Sequence, residues 1–165
     1  MQETAKEYTD RLFSYVEKDD PLKIMHSTIG RVQRYLNNAG RTRKQTGGKW
    51  NVSDLLAHLA EGEMVYGYRI RTIARNNGCS IQGYDQNVWV ADSNYLKKNP
   101  KLAFELFRSL RLSNIAYLKS LTKNQWECYG IHSERGKESV RHLTKMMAGH
   151  DRNHLRQIER LIPKK

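Results

Sequence analysis

The sequence is short of the residues that staple a chain, stop it or anchor it in a membrane. Its 165 residues include two cysteines, three prolines, three tryptophans and three phenylalanines. Cys79 and Cys128 form no motif and cannot build a disulfide framework, so they read as free thiols. No apolar stretch approaches the roughly 20 residues of a membrane span. The opening Met1-Gln2-Glu3-Thr4-Ala5-Lys6-Glu7 lacks the basic start and apolar region of a signal peptide, so cytoplasmic residence is expected. There is no long strand-like alternation, no internal repeat and no low-complexity segment. Acidic residues are scarce: 17 Asp and Glu stand against 29 Lys and Arg, a formal net charge of +12. Such a charge raises the question of nucleic acid. The basic residues are dispersed, however, and the densest runs (Arg41-Thr42-Arg43-Lys44, Lys97-Lys98-Asn99-Pro100-Lys101 and Lys164-Lys165) fall in connections and a tail. The expected meaning is a solvated surface rather than a nucleic-acid site, with nucleic-acid binding and steering of an anionic substrate as equal lesser alternatives.

What is present is helical periodicity. Tyr8, Leu12, Tyr15 and Val16 mark an amphipathic helix from Ala5 to Val16. Asp19-Asp20-Pro21 ends it and opens a second, with Ile24, Thr28, Val32, Tyr35 and Leu36 on one stripe, closed by Asn37-Asn38-Ala39-Gly40. Gly47-Gly48 lies in the next connection. Ser53 or Asn51 caps a helix from about Val52 to Arg75, which Asn76-Asn77-Gly78 terminates. About 20 irregular residues follow, Cys79 to Lys98. A loop of that length in a compact domain is usually functional or disordered. Pro100 opens a helix to about Leu121, with Leu102, Leu106, Leu110, Ile115 and Leu118 as core candidates. A second connection, Thr122 to Lys137, leads to a last helix from about Glu138 to Ile162, followed by Pro163. Residues 1–165 thus read as one all-α domain, a four-helix bundle with long crossover connections.

Chemistry concentrates in the histidines. His150 and His154 are one turn apart and share a helix face. His58, in Asp54-Leu55-Leu56-Ala57-His58-Leu59-Ala60-Glu61, also lies on an otherwise apolar face. Three imidazoles from two facing helices would hold one divalent metal and leave a position open, as catalytic rather than structural zinc sites do. Imidazole suits zinc, nickel, copper or iron, so the donors do not choose among them. Asp151 is not the glutamate of His-Glu-x-x-His, and a zincin protease is not expected. His26, His132 and His142 have no comparable spacing and read as surface or packing residues. Glu61, one turn after His58, is the candidate catalytic carboxylate, as a general base or as the orienter of a ligand histidine. Arg69 falls on the same face and can bind a carboxylate or phosphate, or form a core-edge ion pair. Asp85 and Trp89, in the long connection, can line a pocket mouth. Trp50 reads as an anchor of the helix start. Gln157 can bond inside the site or fill the interior.

The motifs Gly48-Lys49-Trp50-Asn51-Val52, Leu55-Leu56-Ala57-His58-Leu59-Ala60-Glu61-Gly62-Glu63, Tyr68-Arg69-Ile70-Arg71 and Tyr84-Asp85-Gln86 with Trp89 occur in order. Arg111 and the Leu118 to Trp126 stretch follow, then Met147-Ala148-Gly149-His150-Asp151-Arg152-Asn153-His154-Leu155-Arg156-Gln157-Ile158. Together they resemble the DinB-like superfamily of four-helix-bundle metal proteins, over about Tyr8 to Ile162. The resemblance implies divalent metal, zinc or nickel, on His58, His150 and His154, a bundle of up-up-down-down character, and homodimers. Relatives include metal-dependent hydrolases, transferases that use bacillithiol and an isomerase that uses mycothiol. The isomerase branch resembles a His, Glu, His set, from which this chain departs with three histidines. The implied function is a metal-dependent hydrolase or a low-molecular-weight-thiol S-transferase acting on a small molecule, with thiol as a second cofactor. The alternative is a metal-binding bundle without catalysis, in a stress or interaction role.

Overall fold

The computed structural model describes residues 3–36 and 49–162. The expected helix stop at 37–40, the basic run 41–44, Gly47-Gly48, Pro163 and the terminal lysines lie outside the described residues. Helix α1 covers Ala5–Val16, α2 Pro21–Leu36 and α3 Val52–Arg75. The first long connection holds strand β1 (Cys79–Ile81) and the short helices α4 (Gln86–Asp92) and α5 (Asn94–Lys97). Helix α6 (Pro100–Ser120) follows. The second connection holds α7 (Lys123–Glu127), β2 (Tyr129–His132) and β3 (Gly136–Ser139), and α8 (Val140–Leu161) ends the fold.

Local chemistry sets these limits. Thr4 and Glu7 form a capping box on α1, and Asn51 with Asp54 forms one on α3, so Asn51 rather than Ser53 is the cap. Asn99 caps α6, whose first residue is Pro100. Ser139 caps α8 through the His142 amide. Gly78, at φ 84°, turns the chain out of α3.

Helices α2, α6, α3 and α8 close a ring in which α3 packs on α6 and α8, and α2 on the same two; α1 lies outside along α8. Two apolar clusters mark its ends. One joins Ile24 and Met25 with Ile70 and Ile73, Ile115 and Leu118, and Leu143 and Met147. The other joins Val32 with Leu55 and Leu56, Phe104 and Phe107, and Leu155 and Ile158. Hence α3 and α6 run one way, and α2 and α8 the other. In chain order this is up-down-down-up, not the up-up-down-down order that the resemblance implied, and the consecutive parallel pair is α3 and α6. Returning from the end of α3 to the start of α6 spans about 36 Å, the length of a 24-residue helix. That distance is why the first connection is long.

Two further expectations are corrected. The connections are not irregular: β1 pairs parallel with β2, and β2 antiparallel with β3. Strands of three or four residues are too short to show an alternation, and their pairing is long-range. Gly130 is the local trace of that sheet, since a Cβ there would lie 2.5 Å from Ile81 Cγ1. The first half of the expected α6 stripe is also corrected, while Ile115 and Leu118 are buried as expected. Leu102 is 47% exposed and Leu106 and Leu110 are half-buried, whereas Ala103, Phe104, Phe107, Arg111, Asn114, Ile115 and Leu118 face inward. The true face carries Arg111 and Asn114 and so looked like the wrong one.

Candidate metal centre

The antiparallel packing of α3 and α8 brings the early turns of one against the later turns of the other. It sets His58 beside His150 and His154, all buried, at 1%, 6% and 5% exposure. His58 Nε2 and His150 Nε2 are 2.8 Å apart, and His150 Nε2 and His154 Nε2 3.0 Å. Among the described residues this is the only group of three side chains whose donor atoms could hold one ion. Burial drives the imidazole of His154 down to about 4, against the Gln157 bond that raises it, and those of His58 and His150 well below their ordinary 6.5, where the neighbouring histidines lower them further. The three rings are therefore neutral at pH 7, the form that ligates metal.

A neutral imidazole nitrogen carries either one proton or one lone pair. His150 Nε2 meets two other nitrogens and can make one hydrogen bond, not two. His154 Nδ1 donates to Gln157 Oε1 at 2.9 Å, which leaves a bare lone pair on its Nε2. Three converging nitrogens thus have fewer protons than contacts in a buried place, where polar groups are normally satisfied. A cation accepted by all three lone pairs removes the deficit, so the residues fit a metal.

Gln157 therefore bonds inside the site. Trp50 does more than anchor a helix start: its ring lies 4.8 Å from that of His58 and 6.3 Å from that of His154. Tyr66 meets His150 edge-on at 6.2 Å. Gly149 admits α1 against α8, because a Cβ would lie 2.2 Å from Leu12 O. That approach carries Tyr8 and Glu3 to the histidines, where they join the walls of two cavities. One, of about 710 Å³, reaches His150 and is also lined by Tyr66, Arg69, Tyr84 and Arg135. The other, of about 330 Å³, reaches His154 past Trp50, Asn153 and Gln157.

The remaining expected residues are dispersed around this centre. Glu61 is buried, but its hydrogen bond is with Ser93 at the α4–α5 junction, and its Oε2 has no partner. Ser93 Oγ also bonds Trp89 O at 2.7 Å. The one Ser93 hydroxyl proton is thus shared between the Glu61 carboxyl and the Trp89 carbonyl. Burial pushes the Glu61 carboxyl upward, against the Ser93 bond and Lys97, which favour its charged form. Arg69 is buried and donates from Nη2 to Gln82 O at 2.5 Å. Asp85 caps α4, accepting from the Asn87 and Val88 amides at 2.8 and 3.2 Å. Trp89 is 39% exposed and meets Tyr84 edge-on at 5.0 Å. His132 is buried, His142 packs on Phe13 and His26 is exposed.

Sequence reasoning missed a second buried cluster in the same layer. Arg111 forks onto Asp151 at 2.5 and 2.8 Å and reaches Glu63 at 2.7 Å and Met25 O at 2.9 Å. Asn114 donates to Glu63 Oε2 at 3.0 Å. The available signal was the stripe Phe104, Phe107, Arg111, Ile115 and Leu118, where an arginine occupies a core position.

A bundle with two parallel consecutive helices, a crossover and three inward imidazoles defines a class of helical three-histidine proteins. The chain belongs to the DinB superfamily, whose model matches residues 26–158. It is similar to two proteins of Oceanobacillus iheyensis, each named "Putative metal-dependent hydrolase". One is 21% identical over 84% of this chain and 85% of the relative, the other 25% identical over 79% and 75%. The fold also matches the solved structure of YfiT from Bacillus subtilis, described as "a probable metal-dependent hydrolase with an unusual four-helix bundle topology". That match has a TM-score of 0.70 at 20% identity and covers 87% of this chain and 86% of YfiT. No described helix is long and apolar enough to cross a membrane.

Proposed function

We propose that this protein is a metal-dependent hydrolase of a small molecule, with zinc or nickel held by His58, His150 and His154. The observation that carries the reading is the convergence of three neutral Nε2 atoms with too few protons to satisfy one another. The names of the Oceanobacillus iheyensis relatives support it. A divalent ion on three imidazoles supplies Lewis acidity at its remaining position. The chain's own residues do the rest. Gln157 fixes the tautomer and plane of His154. Trp50 covers the His58 and His154 rings on one side and keeps bulk water from them. Tyr66 and Tyr8 shape the larger cavity, which is of the size that takes small ligands. We assign Glu61 to holding the crossover through Ser93 rather than to proton abstraction at the centre.

A second reading, S-transfer from a low-molecular-weight thiol, is favoured by the paired cavities. Water needs no pocket of its own, whereas a thiol and its acceptor need one each, and cavities flank the histidines on the His150 and His154 sides.

The test is elemental analysis of protein purified without chelator, combined with turnover of ester, amide and thiol-acceptor panels before and after metal stripping. The wild type is expected to carry about one divalent ion per chain, and His154→Ala to lose most of it. Unchanged metal content in that variant would refute the site. Turnover indifferent to the metal would refute the mechanism while leaving the site intact.

A further inference from the structure

Arg69 is a buried cation with no carboxylate in ion-pair contact among the described residues, although Glu138 acts on it from a distance. It is 6% exposed. Three other arginines drawn into the fold have theirs: Arg111 pairs with Glu63 and Asp151, Arg135 with Glu138, and Arg152 with Asp19, while half-buried Arg71 spends its donors on Gly67 O, Asn114 Oδ1 and Ser113 Oγ. Arg69 makes one hydrogen bond, to the neutral Gln82 carbonyl, and lies 5.7 Å from the centre of the Tyr84 ring. A guanidinium has five N–H donors, and burying it without a counter-charge is costly. A protein that keeps such a group in place holds a ready receptor for an anion brought from outside.

The surroundings give the shape of that anion. Arg69, Gly83 and Tyr84 form the wall between the cavity that reaches His150 and a separate cavity of about 450 Å³. Met64, Val65, Ile73, Ile81, Tyr68 and Trp89 line this second cavity, and Arg69 is its only charged residue. Tyr68 is 72% exposed and Trp89 39%, so two flat aromatic groups stand at its rim, Trp89 braced edge-on by Tyr84.

We propose that Arg69 and the cavity between α3, β1 and Trp89 form a binding site for an aromatic anion, its carboxylate or sulfonate head on the guanidinium and its ring system between Tyr68 and Trp89. The site goes beyond the metal reading and does not need it, because none of its lining residues is a histidine. It does place the head of such a ligand at the wall of the cavity that reaches the histidines.

The experiment is a fluorescence titration of the whole protein with 8-anilino-1-naphthalenesulfonate and with its uncharged analogue N-phenyl-1-naphthylamine. Metal-loaded and chelator-treated samples are compared throughout. The sulfonate is expected to fill one saturable site, with the neutral dye at least tenfold weaker. Arg69→Met is expected to weaken the sulfonate at least tenfold and leave the neutral dye unchanged, and Trp89→Ala to weaken both. Chelation is expected to change none of these values, so failure of the metal reading would leave them standing. Equal affinity of the two dyes for the wild type would overturn the proposal without recourse to any variant. Undiminished sulfonate binding by Arg69→Met would overturn it as well.

Discussion

The middle of the bundle holds two clusters of buried polar side chains, and they are satisfied in opposite ways. Around Arg111 the charges are matched within the chain: a bidentate pair with Asp151, a second carboxylate from Glu63 and a backbone carbonyl from Met25. Of this cluster's buried side-chain atoms, only Arg111 Nε lacks a partner. Around His150 three neutral nitrogens face one another with lone pairs to spare. His150 and Asp151 are consecutive, so one turn of α8 serves both clusters. The difference teaches how to tell a structural polar cluster from a binding one: the first is closed by its own chemistry, the second by something the chain does not supply.

The comparison breaks most sharply at Arg111. Arg111→Met leaves two buried carboxylates unpaired and is expected to cost about 3–5 kcal/mol of folding free energy, read by urea denaturation of the apo-protein. Replacing Glu63 and Asp151 by Gln and Asn in the same chain is expected to recover much of that loss. Recovery of none would mean that the cluster contributes more than paired charge.

The histidine side is expected to respond to protons instead. The folded state holds its imidazoles neutral, with His154 drawn down to about 4 by burial, while the unfolded chain takes up protons near 6.5. Apo-protein stability is therefore full above pH 6.5 and falls as the pH drops from there toward 4, by about 1.4 kcal/mol per pH unit for each such imidazole. Asp151 and Glu61, whose carboxyls burial raises, act in the opposite sense, so the informative quantity is the difference between wild type and His154→Ala. Identical pH slopes for the two would show that His154 is not held neutral by the fold.

The smallest effect is expected from Gln157→Leu, which removes the acceptor of His154 Nδ1 and keeps the volume. Metal affinity should fall about tenfold, with little change in apo stability, as measured by competition with a chromophoric chelator. An unchanged affinity would mean that the Gln157 bond only fills space.

Much of this was legible in the sequence because it is local. The cap near Asn51, the opening of α6 at Pro100, the turn at Gly78 and the one-turn spacing of His150 and His154 each depend on neighbours in the chain, and α3 runs over the expected residues. His58 could be joined to the other two because its face is otherwise apolar. What escaped depends on distant partners. Glu63, Arg111 and Asp151 are unremarkable until three helices meet, and the sheet pairs residues 79–81 with residues 130–132. Glu61 shows the limit of helical geometry. Its position one turn from His58 was read correctly, but its bond with Ser93 depends on where the crossover lies.

The absence of a side chain at Gly149 has a reach well beyond its own turn. The backbone of α1 sits where a methyl group would be, so the separation of these two helices is set by a single hydrogen atom. Through α1, that separation also sets where Tyr8 and Glu3 stand in both cavities beside the histidines. The first helix, outside the ring of four, thus fixes the dimensions of the space beside the histidines from the outside of the bundle rather than from its core.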